Sequence, residues 1–299
     1  MNGVLVIDKP EGPTSHDVVV RVRRATGVTR IGHTGTLDPI ASGVLVLVLG
    51  QAARLAQFLG NTEKEYEATI KLGLETDTYD VTGRRIRHGE GSELVEQLTR
   101  LHIEEVLQKF RGSYWQDPPP FSAKKIGGTR AYKLARRGAP VQPPAAPVSV
   151  SRLDLADFQR DQLTLRVTCS PGFYIRSLAH DVGRQLGTGA CLQRLRRLRS
   201  GEFALDRALS LEAVEQNPAV ARDCLMPMSG LLNSLPGLIL TTDGARRAAR
   251  GNVIGRDHLA QPVGPWAARV RLLDPEGQLI AIAEPAKEPG LLHPAVVVV

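Results

Sequence analysis

Apolar and polar positions change their period along this chain, and each change marks an element. Val4 to Ile7 is a short continuous apolar run, which predicts a buried strand. Thr14 or Ser15 follows as a helix cap, and Val18, Val19 and Val22 then share one helical face while Arg21, Arg23 and Arg24 take the others. A second apolar run from Val44 to Leu49 predicts another buried strand, followed by a short helix around Ala53 to Leu59. Tyr66 to Leu72 alternates as a half-buried strand does, and Gly73 stops it. Ile103, Val106, Leu107 and Phe110 recur at i, i+3, i+4 and i+7, the stripe of an amphipathic helix ending at Gly112.

The pattern then loosens. Pro118, Pro119 and Pro120 precede Phe121 to Lys125, and a helix with Ala131, Leu134 and Ala135 on one side carries Arg130, Lys133, Arg136 and Arg137 on the other. Pro140, Pro143, Pro144 and Pro147 read as an exposed connection within one domain, because Val148 to Leu155 and Leu163 to Cys169 form an antiparallel pair with Arg160-Asp161-Gln162 at its tip. A helix follows and ends near Gly187. In Leu192 to Arg199 leucine returns every third residue, which fits neither the strand nor the helix period; its arginines suit an exposed helix face or a nucleic-acid contact. Beyond Pro236, a short helix over Asp243 to Arg250 capped by Gly251 and a hairpin of Ala268 to Leu273 with Leu279 to Ala283 predict a small β-rich terminal domain.

Composition narrows the classes. With 299 residues and 42% hydrophobic content the chain can bury a large core beside a small one. Lys plus Arg total 38 against 31 for Asp plus Glu, a net charge of +7, which favours a polyanionic partner. Arg21, Arg23, Arg24 and Arg30 form either a solvated helix face or a phosphate-contacting surface. No apolar run approaches the roughly 20 residues of a membrane-spanning helix, and Asp8-Lys9-Pro10 ends the first run before a secretory core forms. Cys169, Cys191 and Cys224 are scattered and include no Cys-x-x-Cys pair, as expected of a reduced cytoplasmic protein without structural zinc.

Candidate chemistry concentrates in Ile31 to Gly43, Ile-Gly-His-Thr-Gly-Thr-Leu-Asp-Pro-Ile-Ala-Ser-Gly, where glycines and Pro39 display Asp38 from a stiff loop ahead of a buried strand. On residue type alone this aspartate is a turn former or a reagent. The acidic stretch Thr76 to Gly83 lacks the spacing and closing Glu of a calcium loop. His33 has no companion at ligand spacing except Asp38, so no metal is expected.

The segment Gly32 to Gly43 resembles the catalytic motif of the TruB family of tRNA pseudouridine synthases, Gly-His-x-Gly-x-Leu-Asp-Pro-x-Ala-x-Gly, at every fixed position. Asn2 to Pro10 with Gly12 and Ser15 is similar to that family's opening motif, Phe121 to Lys125 through Tyr132 to a further segment, and Gly172 to Arg176 to its Gly-x-Tyr-Ile-Arg. Leu195-Arg196-Arg197 matches its Leu-Arg-Arg. Phe173 stands where threonine is common and Lys124 where a smaller or apolar residue is frequent. The resemblance covers roughly residues 2 to 232, and the C-terminal portion is diffusely similar to a PUA domain.

The resemblance implies an α+β pseudouridine synthase fold, a mostly antiparallel mixed sheet flanked by helices. It places a catalytic domain over residues 1–232 and a PUA-like RNA-binding domain over residues 236–299. It implies isomerisation of uridine 55 in the T-loop of tRNA, without cofactor, by a cytoplasmic monomer whose partner is the tRNA T-arm. Asp38 is then the catalytic carboxylate, attacking C1′ or C6 or deprotonating the sugar. Arg176 is its counter-charge, Tyr66 the ring stacked on the flipped base, and Tyr174 and Leu195 the walls. His33 fills the space the base leaves, and Lys9, Lys125, Arg196 and Arg197 are RNA contacts. Two other classes start from the same residues: an RNA-binding protein without catalysis, and a hydrolase using a metal on His33 and Asp38.

Overall fold

The computed structural model describes residues 1–86, 90–122, 124–131, 141–262, 264–265 and 267–299. The helix expected to carry Lys133, Arg136 and Arg137 lies outside these residues, as do Tyr132 and the side chains of Lys125 and Arg130. In chain order the elements are β1 (Gly3–Lys9), α1 (Ser15–Thr26), β2 (Ile31–His33), β3 (Ala41–Leu49), α2 (Ala56–Gly60), β4 (Lys64–Leu72), α3 (Glu90–Glu96), α4 (Arg100–Gln108) and β5 (Gly112–Gln116). A small ribbon β6 (Lys125–Ile126) and β7 (Thr129–Arg130) precedes β8 (Ala146–Gln159), β9 (Gln162–Cys169), α5 (Ile175–Gln185) and β10 (Ala190–Ser200). Then come β11 (Phe203–Ala204), β12 (Leu209–Ser210), α6 (Leu211–Gln216), α7 (Pro218–Asp223), β13 (Gly237–Ile239), α8 (Thr242–Ala249), β14 (Val270–Leu273), β15 (Leu279–Pro285) and β16 (Leu292–Val297).

The chain forms two compact units. One comprises Met1–Leu37, Leu45–Asn61 and Asp206–Val299. Within it β1 lies between β3 and the short parallel strand β12, and β2 runs antiparallel to β3 with Ile31 opposite Leu49. Helix α1 is held by a reciprocal cap: the Thr14 hydroxyl accepts the Asp17 N–H, and the Asp17 carboxylate accepts the Thr14 N–H at 2.8 Å. Gly27 closes its C-terminus at φ 69°, and Val18, Val19 and Val22 are buried as their spacing predicts. The C-terminal strands make their own four-stranded sheet, β13-β14-β15-β16, on which α8 packs. Leu240, Ala248, Ile254, Leu272 and Leu292 form its fully buried core, each large side chain contributing about 1.5–3 kcal/mol by leaving water.

The second unit comprises Asp38–Val44 and Thr62–Leu205. Its sheet runs from the first residues of β3 through β10, β4, β9 and β8 to β5. The β3–β10 pairing is parallel and every other one antiparallel, the mixed, mainly antiparallel sheet that the family resemblance implies. Helix α5 covers β10, and α4 packs on both α5 and β8. The expected β8–β9 hairpin is present, with Arg160 in the left-handed region at its tip.

Leu192 to Arg199 is not a helix face. It lies within β10, paired on both sides, and the register slips between Leu192 and Arg194 and again between Arg197 and Arg199. Each slip inserts one residue, so leucines three apart return to one side of a strand whose period is two. Leu192, Leu195 and Arg197 are buried while Arg194 is exposed, which divides the arginines between the two faces.

Gly43 sits where β3 meets β10. At φ +100°, a Cβ there would lie 2.2 Å from the Arg197 carbonyl oxygen. Gly27, at φ +69°, has no atom within 4 Å of such a Cβ. Gly43→Ala is therefore expected to cost at least about 3 kcal/mol, left-handed strain plus collision, and Gly27→Ala about 1 kcal/mol. Thermal melts of the two variants check the contrast.

Candidate active site

Asp38 is placed by its neighbours in sequence. The Ser15 hydroxyl accepts the Leu37 N–H at 2.8 Å and donates to the Leu37 carbonyl at 3.0 Å, fastening the main chain one residue ahead. Asp38 to Ala41 then closes a turn: the Ala41 N–H donates to the Asp38 carbonyl at 3.0 Å, with Pro39 at the second position, which its ring geometry favours. The side chain leaves this turn about one-third exposed (37%).

Facing it is Arg176, in the first turn of α5 with its side chain only 7% exposed. The guanidinium Nε lies 2.9 Å from Asp38 Oδ2 and 3.9 Å from Asp80 Oδ2. Nη1 donates to the Thr78 carbonyl at 3.1 Å and Nη2 to the Phe121 carbonyl at 2.9 Å. A cation this dry costs several kcal/mol unless acceptors surround it, and here two carboxylates and two carbonyls do.

The sheet supplies the rest. Tyr66 on β4 lies opposite Arg197 on β10, and Leu195 opposite both Ala68 and Ala41, so Tyr66, Leu195 and Arg197 share one face. Tyr66 and Leu195 are 9% and 7% exposed. Burial pushes the Tyr66 hydroxyl pKa up, with Arg197 opposing and the Asp38 charge adding. Burial likewise raises Tyr174, where Ser122 and Arg176 oppose and Asp38 again adds. One carboxylate is thus felt at both tyrosines.

Of the residues expected to contact RNA, two are placed differently. Lys9 is fully buried with its ammonium donating to the Pro10 carbonyl at 2.8 Å, and Arg197 is 2% exposed with Nε on the Val44 carbonyl at 2.7 Å. Both side chains are enclosed by the strands around them, with little surface open to solvent. Arg196 is half-buried, with Nη1 3.4 Å from the Ser42 hydroxyl. His33 belongs to the first unit, at the end of β2 opposite Leu47.

The acidic loop does work that its composition concealed. Asp80 Oδ1 accepts the Thr82 N–H at 3.0 Å and the Thr78 hydroxyl at 2.9 Å, closing the loop on itself, while Oδ2 faces Arg176. Tyr79, held at φ 64°, stacks its ring on His180 of α5 at 3.9 Å, and His180 Nδ1 lies 3.4 Å from Glu75. No group of three or more His, Cys, Asp or Glu side chains suited to a metal occurs among the described residues. No helix among them is long and apolar enough to cross a membrane.

Comparison with known proteins identifies the family. Residues 23–175 match the model of the TruB family pseudouridylate synthase N-terminal domain, and residues 176–233 that of the tRNA pseudouridylate synthase B C-terminal domain. The chain is 45% identical to tRNA pseudouridine synthase B of Solibacter usitatus, over 99% of this chain and 100% of that one. It is 42% identical to the protein of the same name from Geobacter sulfurreducens, over 95% and 93%. Among solved structures it resembles a chain of a Cbf5-Nop10-Gar1 complex with TM-score 0.71 and 26% identity, covering 94% of this chain and 78% of that one. A chain of an H/ACA ribonucleoprotein bound to substrate RNA shares the fold with TM-score 0.73, at 24% identity, over 99% and 85%.

Burial pushes the Asp181 carboxyl beside this site up to about 6, with Arg184 opposing and Asp117 adding. At this group the folded protein therefore holds a proton that the unfolded chain has released, which adds a downward slope to stability as pH rises between about pH 4 and pH 6. Asp181→Asn is expected to flatten that slope in melting temperatures measured across the range.

Proposed function

Because the chain belongs to the TruB family of pseudouridylate synthases, we propose that it converts uridine to pseudouridine in tRNA, at position 55 of the T-loop. The observation that carries this reading is the Asp38–Arg176 ion pair at 2.9 Å, with the Asp38 charge acting on both Tyr66 and Tyr174. The reaction breaks the N1–C1′ bond, turns the uracil and joins C5 to C1′; C5 gives up a proton and N1 gains one. Atoms and electrons balance, so no cofactor takes part.

In this reading the flipped uridine stacks on Tyr66, with Tyr174 and Leu195 enclosing it, as exposed bases stack on aromatic rings in RNA recognition. Asp38 acts at the ribose or the base as nucleophile or base. Arg176, pinned by two main-chain carbonyls, holds the carboxylate in one orientation, since a side chain fixed before the reaction costs no reorganisation during it. His33 enters the stack that the base leaves. Arg196 and Lys125 contact the T-arm backbone, adding salt-dependent affinity. Residues 1–232 form the catalytic domain and 236–299 a PUA-like RNA-binding domain, with the four-stranded sheet and its separate core in support. The protein works as a cytoplasmic monomer.

Two substitutions test the site, with pseudouridine mapped at nucleotide resolution in T-arm transcripts and total RNA. Asp38→Asn is expected to abolish product while tRNA affinity stays within about threefold; retained turnover overturns the catalytic assignment. Arg176→Lys keeps the charge but loses the fork that reaches several acceptors at once. Its rate is expected to fall by about a hundredfold, equivalent to roughly 3 kcal/mol in the barrier.

A further inference from the structure

Gln116 closes β5 with 2% of its surface exposed, and its carboxamide meets both main-chain polar groups of Tyr174. Nε2 donates to the Tyr174 carbonyl at 3.0 Å, and Oε1 accepts the Tyr174 N–H at 2.9 Å. The side chain thus reproduces the paired bonds that a peptide group exchanges with its opposite number in an antiparallel ladder. The Tyr174 carbonyl also accepts the Leu178 N–H at 3.1 Å, the first bond of α5. Tyr174 follows Gly172, which turns at φ +82°, and it caps α5 without a side-chain hydrogen bond. The same segment beyond β5 holds the next residues: the Ser177 hydroxyl donates to the Asp117 carbonyl at 2.7 Å, and Arg176 Nη2 to the Phe121 carbonyl at 2.9 Å.

We propose that Gln116 is a positioning residue for the isomerisation, fixing the main chain at Tyr174 and through it the Tyr174 ring and the Arg176 guanidinium. The inference rests on the function proposed above. Gln116 is distant in sequence from the residues it orients, and its part is specific to a group carrying one donor and one acceptor on the same carbon. Ionised glutamate offers two acceptors and turns one against the Tyr174 carbonyl; protonated glutamic acid restores the pair, its O–H donating to that carbonyl and its C=O accepting the N–H. Methionine keeps the length and supplies neither bond.

Single-turnover pseudouridine formation on a T-arm transcript, with tRNA Kd and melting temperature measured in parallel, tests this on the full chain. Gln116→Met is expected to lose at least tenfold in rate while Kd stays within about threefold. For Gln116→Glu the rate relative to wild type at the same pH is expected to rise severalfold as pH falls from 9 to 5.5, a dependence that a packing role does not produce. A Gln116→Met rate within twofold of wild type, or a Gln116→Glu ratio that stays level across that range, overturns the inference. Should Gln116→Met fail to fold, the Gln116→Glu ratio decides alone. Wild-type protein that forms no pseudouridine overturns the functional reading itself, whereas active wild type with unaffected variants overturns only the role of Gln116.

Discussion

The guanidinium of Arg176 is the constraint on which the second unit turns. With 7% of its side chain exposed it has little access to water, and its donors are met by Asp38, Thr78, Phe121 and the more distant Asp80. These acceptors come from three separate stretches of chain, and the arginine from a fourth. The Asp38 turn, the acidic loop, the proline-rich passage after β5 and the start of α5 must all be in place for the charge to be tolerated, because removing a partner from a buried ion leaves a penalty of about 3–5 kcal/mol. Folding and placement of the Asp38 carboxylate are therefore parts of one electrostatic requirement.

The loops that meet this requirement are stiffened by short-range bonds rather than by bulk packing. Asp80 closes its own loop with one oxygen and presents the other to Arg176. Ser15 grips both polar groups of the Leu37 main chain. Each device uses a small polar side chain bonded to nearby backbone groups, with neighbouring hydroxyls added at Asp80, which is inexpensive in conformational entropy and leaves the geometry closely defined. The sheet contributes differently, by register: β4 and β10 set Tyr66, Leu195 and Arg197 on one face and leave Arg194 on the other.

Most elements were legible because their residues obey one period. The valine face of α1, the alternation of β4, the helix stripe ending near Gly112 and the β8–β9 hairpin all depend on neighbours within a few positions, and the structure contains each of them. β10 was opaque for a definite reason: two bulges break the phase, and a leucine spacing of three is what a strand with an inserted residue produces. The arginines misled for the same reason, since charge count says nothing about which side of a bulged strand a residue takes. Asp80 and Gln116 escaped notice because their partners lie far away in sequence, and neither stands in a pattern that singles it out.

By itself the sequence determined the α+β class, most of the elements and the display of Asp38 from a turn ahead of a buried strand. These follow from local chemistry: glycine and proline restrict the backbone, caps begin helices, and apolar periodicity chooses a face. Its motif wording also indicated the family. Tertiary structure alone decided the distances and acceptors around Arg176, that Lys9 and Arg197 are buried, that Asp80 faces Arg176 and Gln116 meets Tyr174, and that β10 runs through the sheet of the second unit. Each of those facts joins residues tens of positions apart, and the cost of leaving a buried charge or peptide group unpaired is settled only where the folded chain brings its partners together.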